Sequence, residues 1–302
     1  MNIVVQLIKT ILINLFVFLL IILIVLFPRH LDITIVNGVF YQEYNFHMDQ
    51  YLENIKNFFY GLVKNKSLGD TRYFDTTVEE ELARYMPRSL MVIFTALIIS
   101  FFLGVMKGIY DYKTSKKRTS LLGNWTTWIF QSIPDFLLVL LIQWLIIRYF
   151  PFIKFFGREG WNAFILPSIL VSIYPLMYIA RITSASIAAQ EGQQYIQVAK
   201  AKGLSNRMVL YKHILKNSMS TILSHLSSLM LYILSNLFIV EYFMNYQGAA
   251  QRFFMAIDYS KSFGTGVNYE PGIIIGISGC FMALILLVQI ISLLVNRYFQ
   301  PR

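Results

Sequence analysis

The chain has 302 residues, of which 56% are hydrophobic and 14% charged, against roughly 25% charged in a soluble domain; its mean hydropathy is +0.56. This excludes a disordered chain, a disulfide scaffold and an ordinary soluble enzyme, and indicates a polytopic membrane protein. The net charge of +10 first suggests an anionic partner, but in a membrane protein it first records topology, because Lys and Arg gather on the cytoplasmic side. The lone Cys280 allows no internal disulfide, and His30, His47, His213 and His225 lack metal-ligand spacing.

A membrane-crossing helix needs about 20 mostly apolar residues. The first stretch runs over 11–27 and is followed by PRHLDITIV, with no small-residue cleavage site, so it reads as a retained anchor. Segment 28–89 is polar and aromatic, with no run long enough to span. Within it, 51–63 has apolar residues at helical spacing. Residues 77–85 (TVEEELARY) also read as helix, with Thr77 and Glu80 as a capping box and Pro87 just before the second span. Further spans are predicted over 90–110, 125–150, 163–182, 219–240 and 272–295.

Six spans place both termini on one side. The short segments there, 1–10, 109–124, 183–218 and 296–302, carry twelve basic and two acidic residues, a net of +10. The opposite segments, 28–89, 151–162 and 241–271, carry eleven basic and thirteen acidic residues, a net of −2. This asymmetry predicts cytoplasmic N and C termini. The organisation is then an anchor helix over 1–27, an extracytoplasmic segment over 28–89, a transmembrane core over 90–297 and a tail over 298–302.

Three polar positions fall inside or beside spans. Asp135 lies about ten residues into the predicted third span, where an acid costs roughly 2.5–3.5 kcal/mol. It lines a pathway, or it makes a structural pair beside the helix break at Pro134; the second reading is favoured. His225 and Asn236 fit interhelical hydrogen bonds better than substrate contacts. Gly272, Gly276 and Gly279 mark a close packing face, and Gly104 with Gly108 a weaker one. No Ser/His/Asp set, His-rich cluster or carboxylate pair converges, so no catalytic and no metal residue is assigned. Gly61 to Ser67 only superficially resembles a phosphate loop, since it lacks the second glycine.

The most informative segment is 183–218. Residues 193–202 have high helix propensity, Gly203 supplies a stop, and Ser205 with Asn206 can cap a new helix. Ala199, Ala201 and Leu204 form a small apolar surface with Lys200 and Lys202 beside it, which allows close approach by another protein. A solvated loop with snorkelling lysines fits the residues equally well.

The run Tyr195-Ile-Gln-Val-Ala-Lys-Ala-Lys-Gly203-Leu204, followed by His213-Ile-Leu-Lys-Asn217, resembles the cytoplasmic signature of type I ABC-transporter permeases of the oligopeptide/dipeptide/nickel branch. Ser67-Leu-Gly-Asp70, Pro87-Arg-Ser-Leu90, Ser132-Ile-Pro-Asp-Phe136, Leu166-Pro167, Ala180-Arg181, the stretch from Glu241 to Gly248 and the terminal Gln300-Pro-Arg302 resemble the same family in the same order. Thr221, Gln247, Ala250, Ser184 and Gln300 depart from it. Glu241 matches a family position but reads slightly better as an ordinary interfacial acid.

The resemblance implies an all-α integral membrane fold with six transmembrane helices, the type I ABC importer permease fold. It implies a subunit of an importer for peptides or a related solute such as a metal chelate, in a bacterial plasma membrane. It also implies that Tyr195, Ala199, Ala201, Lys202, Gly203 and Leu204 couple to one or two cytoplasmic ABC ATPase subunits. The chain itself holds no cofactor; ATP and Mg belong to those partners. A second homologous permease and an extracytoplasmic substrate-binding protein complete the expected partners, with the lipid bilayer and without nucleic acid. A permease-fold subunit for peptide export, sensing or immunity is the alternative. An integral-membrane enzyme and a secondary transporter, whose broken-helix repeats are missing, come lower.

Overall fold

The computed structural model describes residues 3–29, 32–36, 39–73, 75–115, 123–156, 160, 162–257 and 269–299. The basic run Lys116, Lys117 and Arg118 and the terminal Gln300, Pro301 and Arg302 lie outside them. The described residues are mainly helical. Five helices are long and apolar enough to cross a membrane, and a bent helix pair makes a sixth if counted as one span. The chain divides into two compact units, Met1–Ser89 with Gln247–Leu284 and Leu90–Tyr246 with Ile285–Arg302.

In the first unit, α1 (Ile3–Val25) presents apolar side chains on most of its surface, as a helix against lipid does. The last carbonyls of a helix have no partner within it. Here distant side chains supply them. Tyr51 donates to the Leu23 carbonyl at 2.9 Å, Tyr269 to that of Val25 at 2.7 Å, and Asn54 to that of Leu26 at 3.2 Å. Tyr51 and Asn54 lie on α2 (Met48–Tyr60), which the 51–63 periodicity predicts; a wider π-type turn, Gly61–Asn65, continues it.

Before α2 comes an antiparallel hairpin that the sequence reading leaves as loop. β1 (Asp32–Val36) pairs with β2 (Val39–Glu43), Asp32 opposite Glu43 and Val36 opposite Val39. The missed signal is Asn37-Gly38 between two alternating stretches, a dipeptide favoured in two-residue hairpin turns.

The helix predicted over 77–85 and the span predicted from 90 are one element, α3 (Val78–Thr114). At 1.5 Å per residue its 37 residues run about 55 Å, well beyond the ~30 Å apolar core of a bilayer. Pro87 does not separate them. Proline removes one helical hydrogen bond, to the residue four before it. That residue, Ala83, and Pro87 are both exposed, so the freed carbonyl opens to solvent. The capping box is present: Glu80 accepts from Thr77 N–H at 3.2 Å, and Thr77 Oγ1 accepts from Glu80 N–H at 3.4 Å.

Glu79 holds the Ser67–Gly69 turn by accepting from Leu68 N–H at 2.6 Å and from the Ser67 hydroxyl at 3.1 Å. The same turn meets the start of α12 (Pro271–Phe299). A Cβ on Gly272 would lie 2.5 Å from the Leu68 carbonyl oxygen, so only glycine permits this approach.

The core of this unit is ionic. Arg252, on α11 (Ala249–Ile257), is 1% exposed. Its Nε donates to Glu81 at 2.7 Å, and its two terminal nitrogens form a fork to Glu270 at 2.8 Å each. Glu270 also accepts from Arg72 N–H at 2.9 Å and pairs with its guanidinium at 3.4 Å. Two carboxylates thus meet two guanidiniums, and no net charge is buried. Nearby, Ser89 accepts from Ala249 N–H at 2.7 Å, and Arg88 bonds Gln247 through both its side-chain and main-chain oxygens. Gln247, a departure from the family pattern, therefore has its own use here.

In the second unit, α4 (Asn124–Ser132) and α5 (Asp135–Tyr149) replace the single predicted span over 125–150 and meet at 101°. Proline pushes the residue before it out of the helical region, and Ile133 is extended, with ψ 127°. Helix α6 (Ile165–Ala189) packs on α10 (Leu226–Met244) and on α4. Span five is likewise split, with α9 (Leu215–Ser224) ending at His225. The helix runs through Thr221 and breaks four residues later. Gly104 and Gly108 lie against α6; a Cβ at Gly108 would be 2.5 Å from the Ala180 carbonyl oxygen and the Thr183 Cβ. This contact is as tight as that at Gly272.

Burial pushes the Arg252 pKa down, but its bonds to Glu270 and Glu81 outweigh that and leave it raised. Burial raises the Glu270 carboxyl, yet Arg252 and the Arg72 backbone hold it below its usual range. A lowered carboxyl stabilises fully above its unfolded pKa, and that stability is lost as pH falls through the lowered value. Replacing Arg252 with Met strands the buried Glu81 and leaves Glu270 with Arg72 alone, and removing one partner of a buried pair costs about 3–5 kcal/mol. Thermal melting of the purified protein should show a large drop at neutral pH that narrows in acid. A variant melting within a degree of the parent at neutral pH contradicts this account.

Candidate functional site

The candidate coupling residues lie in a helical hairpin of the second unit. Helix α6 continues to Ala189, past the predicted end at 182. After a turn at Gly192 comes α7 (Gln194–Ala201). Gly203 has φ +77°, a conformation glycine adopts without strain. Its N–H donates to Lys200 O at 2.9 Å, and Leu204 N–H donates to Ala199 O at 3.3 Å. This pair of bonds is the glycine-dependent helix stop called a Schellman motif. Ser205 then accepts from Met208 N–H at 3.3 Å and starts α8 (Asn206–Met208), which runs through a wide turn, Val209–Ile214, into α9.

The hairpin is held by apolar packing. Ile196 and Ala199 on α7 are buried with Ile187, Val209, Leu210 and Ile214, and Tyr195 and Leu204 pack against the same group. The Tyr195 hydroxyl donates to Gln190 at 2.8 Å, and Tyr112 near the end of α3 donates to Glu191. The six predicted coupling residues therefore divide. Ala199 is 5% exposed and faces its own chain, and Leu204 anchors inward. That corrects the reading of Ala199, Ala201 and Leu204 as one outward surface: a period of 3.6 residues puts 195, 196 and 199 on one face and 194, 197, 198 and 201 on another. The outward face carries Gln194, Gln197, Val198, Ala201, Lys202 and Gly203, with Val198 at 53% exposure.

A second group lies along α5, α6 and α10. Asp135 sits at the first turn of α5 and accepts from Phe136 N–H at 2.9 Å. It is thus a helix-start acid beside Pro134, at the break of the bent pair, where the N-terminal end of the α5 dipole favours a carboxylate. Tyr174 and Tyr178 each pack on Tyr232, at ring separations of 5.3 and 4.8 Å. The Tyr178 hydroxyl bonds His225 Nδ1 at 2.7 Å. His225, Tyr232 and Asn236 fall on one helical stripe. Asn236 is 2% exposed, and its Oδ1 has no partner among the described residues. The sequence reading names Asp135, Pro134, His225 and Asn236 but omits the three tyrosines, of which Tyr178 bonds His225. Their signal is Tyr174 and Tyr178 one helical turn apart within an apolar span.

Also missed is a buried network behind the hairpin. Asp111, placed in a loop by the sequence reading, is completely buried inside α3. It pairs with Lys107 and accepts from the Thr127 hydroxyl at 2.6 Å; Lys107 also donates to Gly123 O at 3.2 Å. This network fixes the start of α4 to α3.

Comparison with known proteins places these elements. The model of the binding-protein-dependent transport system inner membrane component family matches residues 100–302. Similar sequences include the dipeptide transport system permease protein DppB of Bacillus subtilis, 30% identical over 215 residues, covering 66% of each chain. The glutathione transport system permease protein GsiC of Salmonella typhimurium is 26% identical, covering 60% of this chain and 59% of its own. The oligopeptide transport system permease protein OppB of the same organism is 26% identical, covering 60% of each. The aligned segments thus span somewhat under two thirds of these relatives. Among solved structures, an inward-facing MetNI methionine ABC transporter gives a TM-score of 0.54 at 17% identity, covering 73% of this chain and 96% of that one. An amino acid ABC transporter crystallised with histidines gives 0.53 at 17%, covering 73% and 94%. At this identity the two establish the shared fold.

Replacing Lys107 with Met leaves Asp111 charged and buried, which should cost about 3–5 kcal/mol. Replacing Lys107 with Met and Asp111 with Leu together should recover most of that loss. Melting curves of both variants check this, and a double variant no more stable than the single one contradicts it.

Proposed function

This chain belongs to the family of binding-protein-dependent transport system inner membrane components, and we propose that it is the membrane-spanning subunit of an ATP-driven importer of short peptides. The supporting observation is the ordered hairpin of α7 and α8 within the family-matched region, with relatives named for dipeptide, oligopeptide and glutathione transport. The basic charge of the loops supports cytoplasmic placement of the termini and the hairpin. No phosphate-binding loop is present in the sequence, so ATP and Mg are bound by one or two separate ATPase subunits. A second permease and an extracytoplasmic binding protein complete the assembly.

In this reading the outward face of α7 seats in an ATPase groove. Ala201 and Gly203 permit close approach, and Val198 supplies an apolar contact. Ala199, Tyr195 and Leu204 act one layer deeper. They lock α7 to the ends of α3 and α6 through the buried apolar group, so a displacement of α7 carries the spans with it. Nucleotide state then biases the spans between two arrangements. The tyrosine group with Asp135 and His225 lines the pathway. Its rings and carboxylate suit the cationic amino terminus of a peptide.

Ala201→Glu should leave the chain inserted but reduce ATP-dependent peptide uptake at least ~10-fold and abolish ATPase copurification. Full copurification and uptake in this variant would refute the seating on α7. Ala199→Glu should instead lower the amount of folded protein, because it buries an unpaired charge. For the pathway, Asp135→Asn should lower peptide uptake several-fold at unchanged expression and unchanged ATPase copurification; parent-level uptake returns Asp135 to a structural role at the start of α5.

A further inference from the structure

Behind the coupling hairpin lies a cavity of about 680 Å³. Volumes of roughly 300–1,000 Å³ suit small-molecule ligands. Its floor is apolar, formed by Ile196, Val209, Leu210 and Ile214. Its rim is cationic: Lys113 from the end of α3, Lys200 from α7 and Arg207 from α8. These three cations come from three separate elements, so the charge is gathered by the fold and not by a run of sequence.

The rim is not neutralised by the acid beside it. One acid, Glu191, lines the cavity and accepts from the Tyr112 hydroxyl; with three cations and this one acid, the lining carries a net charge of +2. Lys113 donates to the Tyr211 hydroxyl at 3.0 Å, which keeps its positive charge. The bond from Lys113, its charge and that of nearby Arg207 together hold the Tyr211 pKa below its usual value. The side chains of Lys200 and Arg207 form no hydrogen bond or ion pair among the described residues. A cavity carrying three cations and one engaged acid is set for an anion.

We propose that this cavity binds a phosphate-bearing anion, and that its source is the headgroup of an anionic phospholipid in the leaflet beside the hairpin. Basic pockets beside membrane-spanning helices on the cytoplasmic side take such headgroups. A free phosphate would use the rim and leave the apolar floor idle; a lipid uses both, with its glycerol and upper acyl carbons on Ile196, Val209 and Ile214. The proposal rests on the cytoplasmic placement of the hairpin. It assigns a regulatory consequence: the bound headgroup bridges α3, α7 and α8, so membrane charge sets how firmly the coupling helix is tied to the spans.

The test uses the full chain in nanodiscs of phosphatidylglycerol or phosphatidylcholine, released in the mass spectrometer and scored for retained lipid. The chain should retain phosphatidylglycerol preferentially. The pair Lys200→Glu with Arg207→Glu should weaken that retention roughly 30-fold or more, since each cation near a membrane surface contributes about a fivefold factor and the reversal adds repulsion. The pair Lys200→Arg with Arg207→Lys, which keeps the charge, should retain the lipid and serves as the folding control. Equal retention of both lipids, or retention unaffected by charge reversal, overturns the proposal. Protection by millimolar inorganic phosphate with no preference between the lipids overturns the lipid source and assigns the site to a soluble phosphate. Ala201→Glu, scored on the same preparations, should keep the lipid while losing the ATPase. Loss of lipid preference with ATPase binding intact would overturn the cavity assignment and leave the coupling reading standing.

Discussion

A charge removed from water must be answered by another group, and both units of this chain are organised around that constraint. In the first unit Arg252, 1% exposed, is answered by Glu81 and Glu270. Its partners stand 171 and 18 residues away in sequence, so the pairs close large loops that apolar contact alone would leave loosely specified. A buried ion pair adds little net stability over well-packed apolar residues, but breaking one is costly. The consequence is selectivity: arrangements that separate α3, α11 and the start of α12 leave charges stranded. The same logic extends to the end of α1, where Tyr51, Asn54 and Tyr269 supply donors to carbonyls that the helix itself leaves open.

In the second unit the corresponding group is Asp111, held by Lys107 and Thr127. It lies in the same stretch of α3 as Ile109 and Tyr112, which pack on the hairpin cluster. The helix end that carries the buried pair therefore also carries the seat of α7. For the coupling proposed above, rigidity behind α7 matters. A docked helix transmits displacement only if its inner face is fixed, and Ile196 and Ala199 provide that fixed face. The outward residues, apart from the apolar Val198, are left small or polar.

Local signals in the sequence translate well where the physics is local. The stop at Gly203 and the cap at Ser205 appear where glycine and serine chemistry places them, and the capping box at Thr77 and Glu80 is formed. Two prolines show the limit of such signals. Pro87 reads as a boundary yet sits inside α3, because Ala83 is exposed and its freed carbonyl needs no protein partner. Pro134 reads as a helix break inside a span, and there the chain turns through 101°, an angle the sequence does not state. The covalent restriction is the same in both; surroundings decide whether the helix resumes along its old axis. The β1–β2 hairpin was legible in Asn37-Gly38, but a reading led by hydropathy passes over short alternating strands.

Composition and hydropathy by themselves determined that this is a multi-pass membrane protein, where its apolar helices lie, and which loops carry the basic charge. Collinear motifs determined its family. These properties depend on residue type and spacing along one chain, and both are written in the sequence. Tertiary structure alone decided that Ala199 faces inward while Val198 and Ala201 face out. It alone brought Arg252 to Glu81, and gathered Tyr174, Tyr178 and Tyr232 beside His225. Each of these depends on which distant elements meet, and a contact between residues far apart in sequence leaves no local periodicity to read.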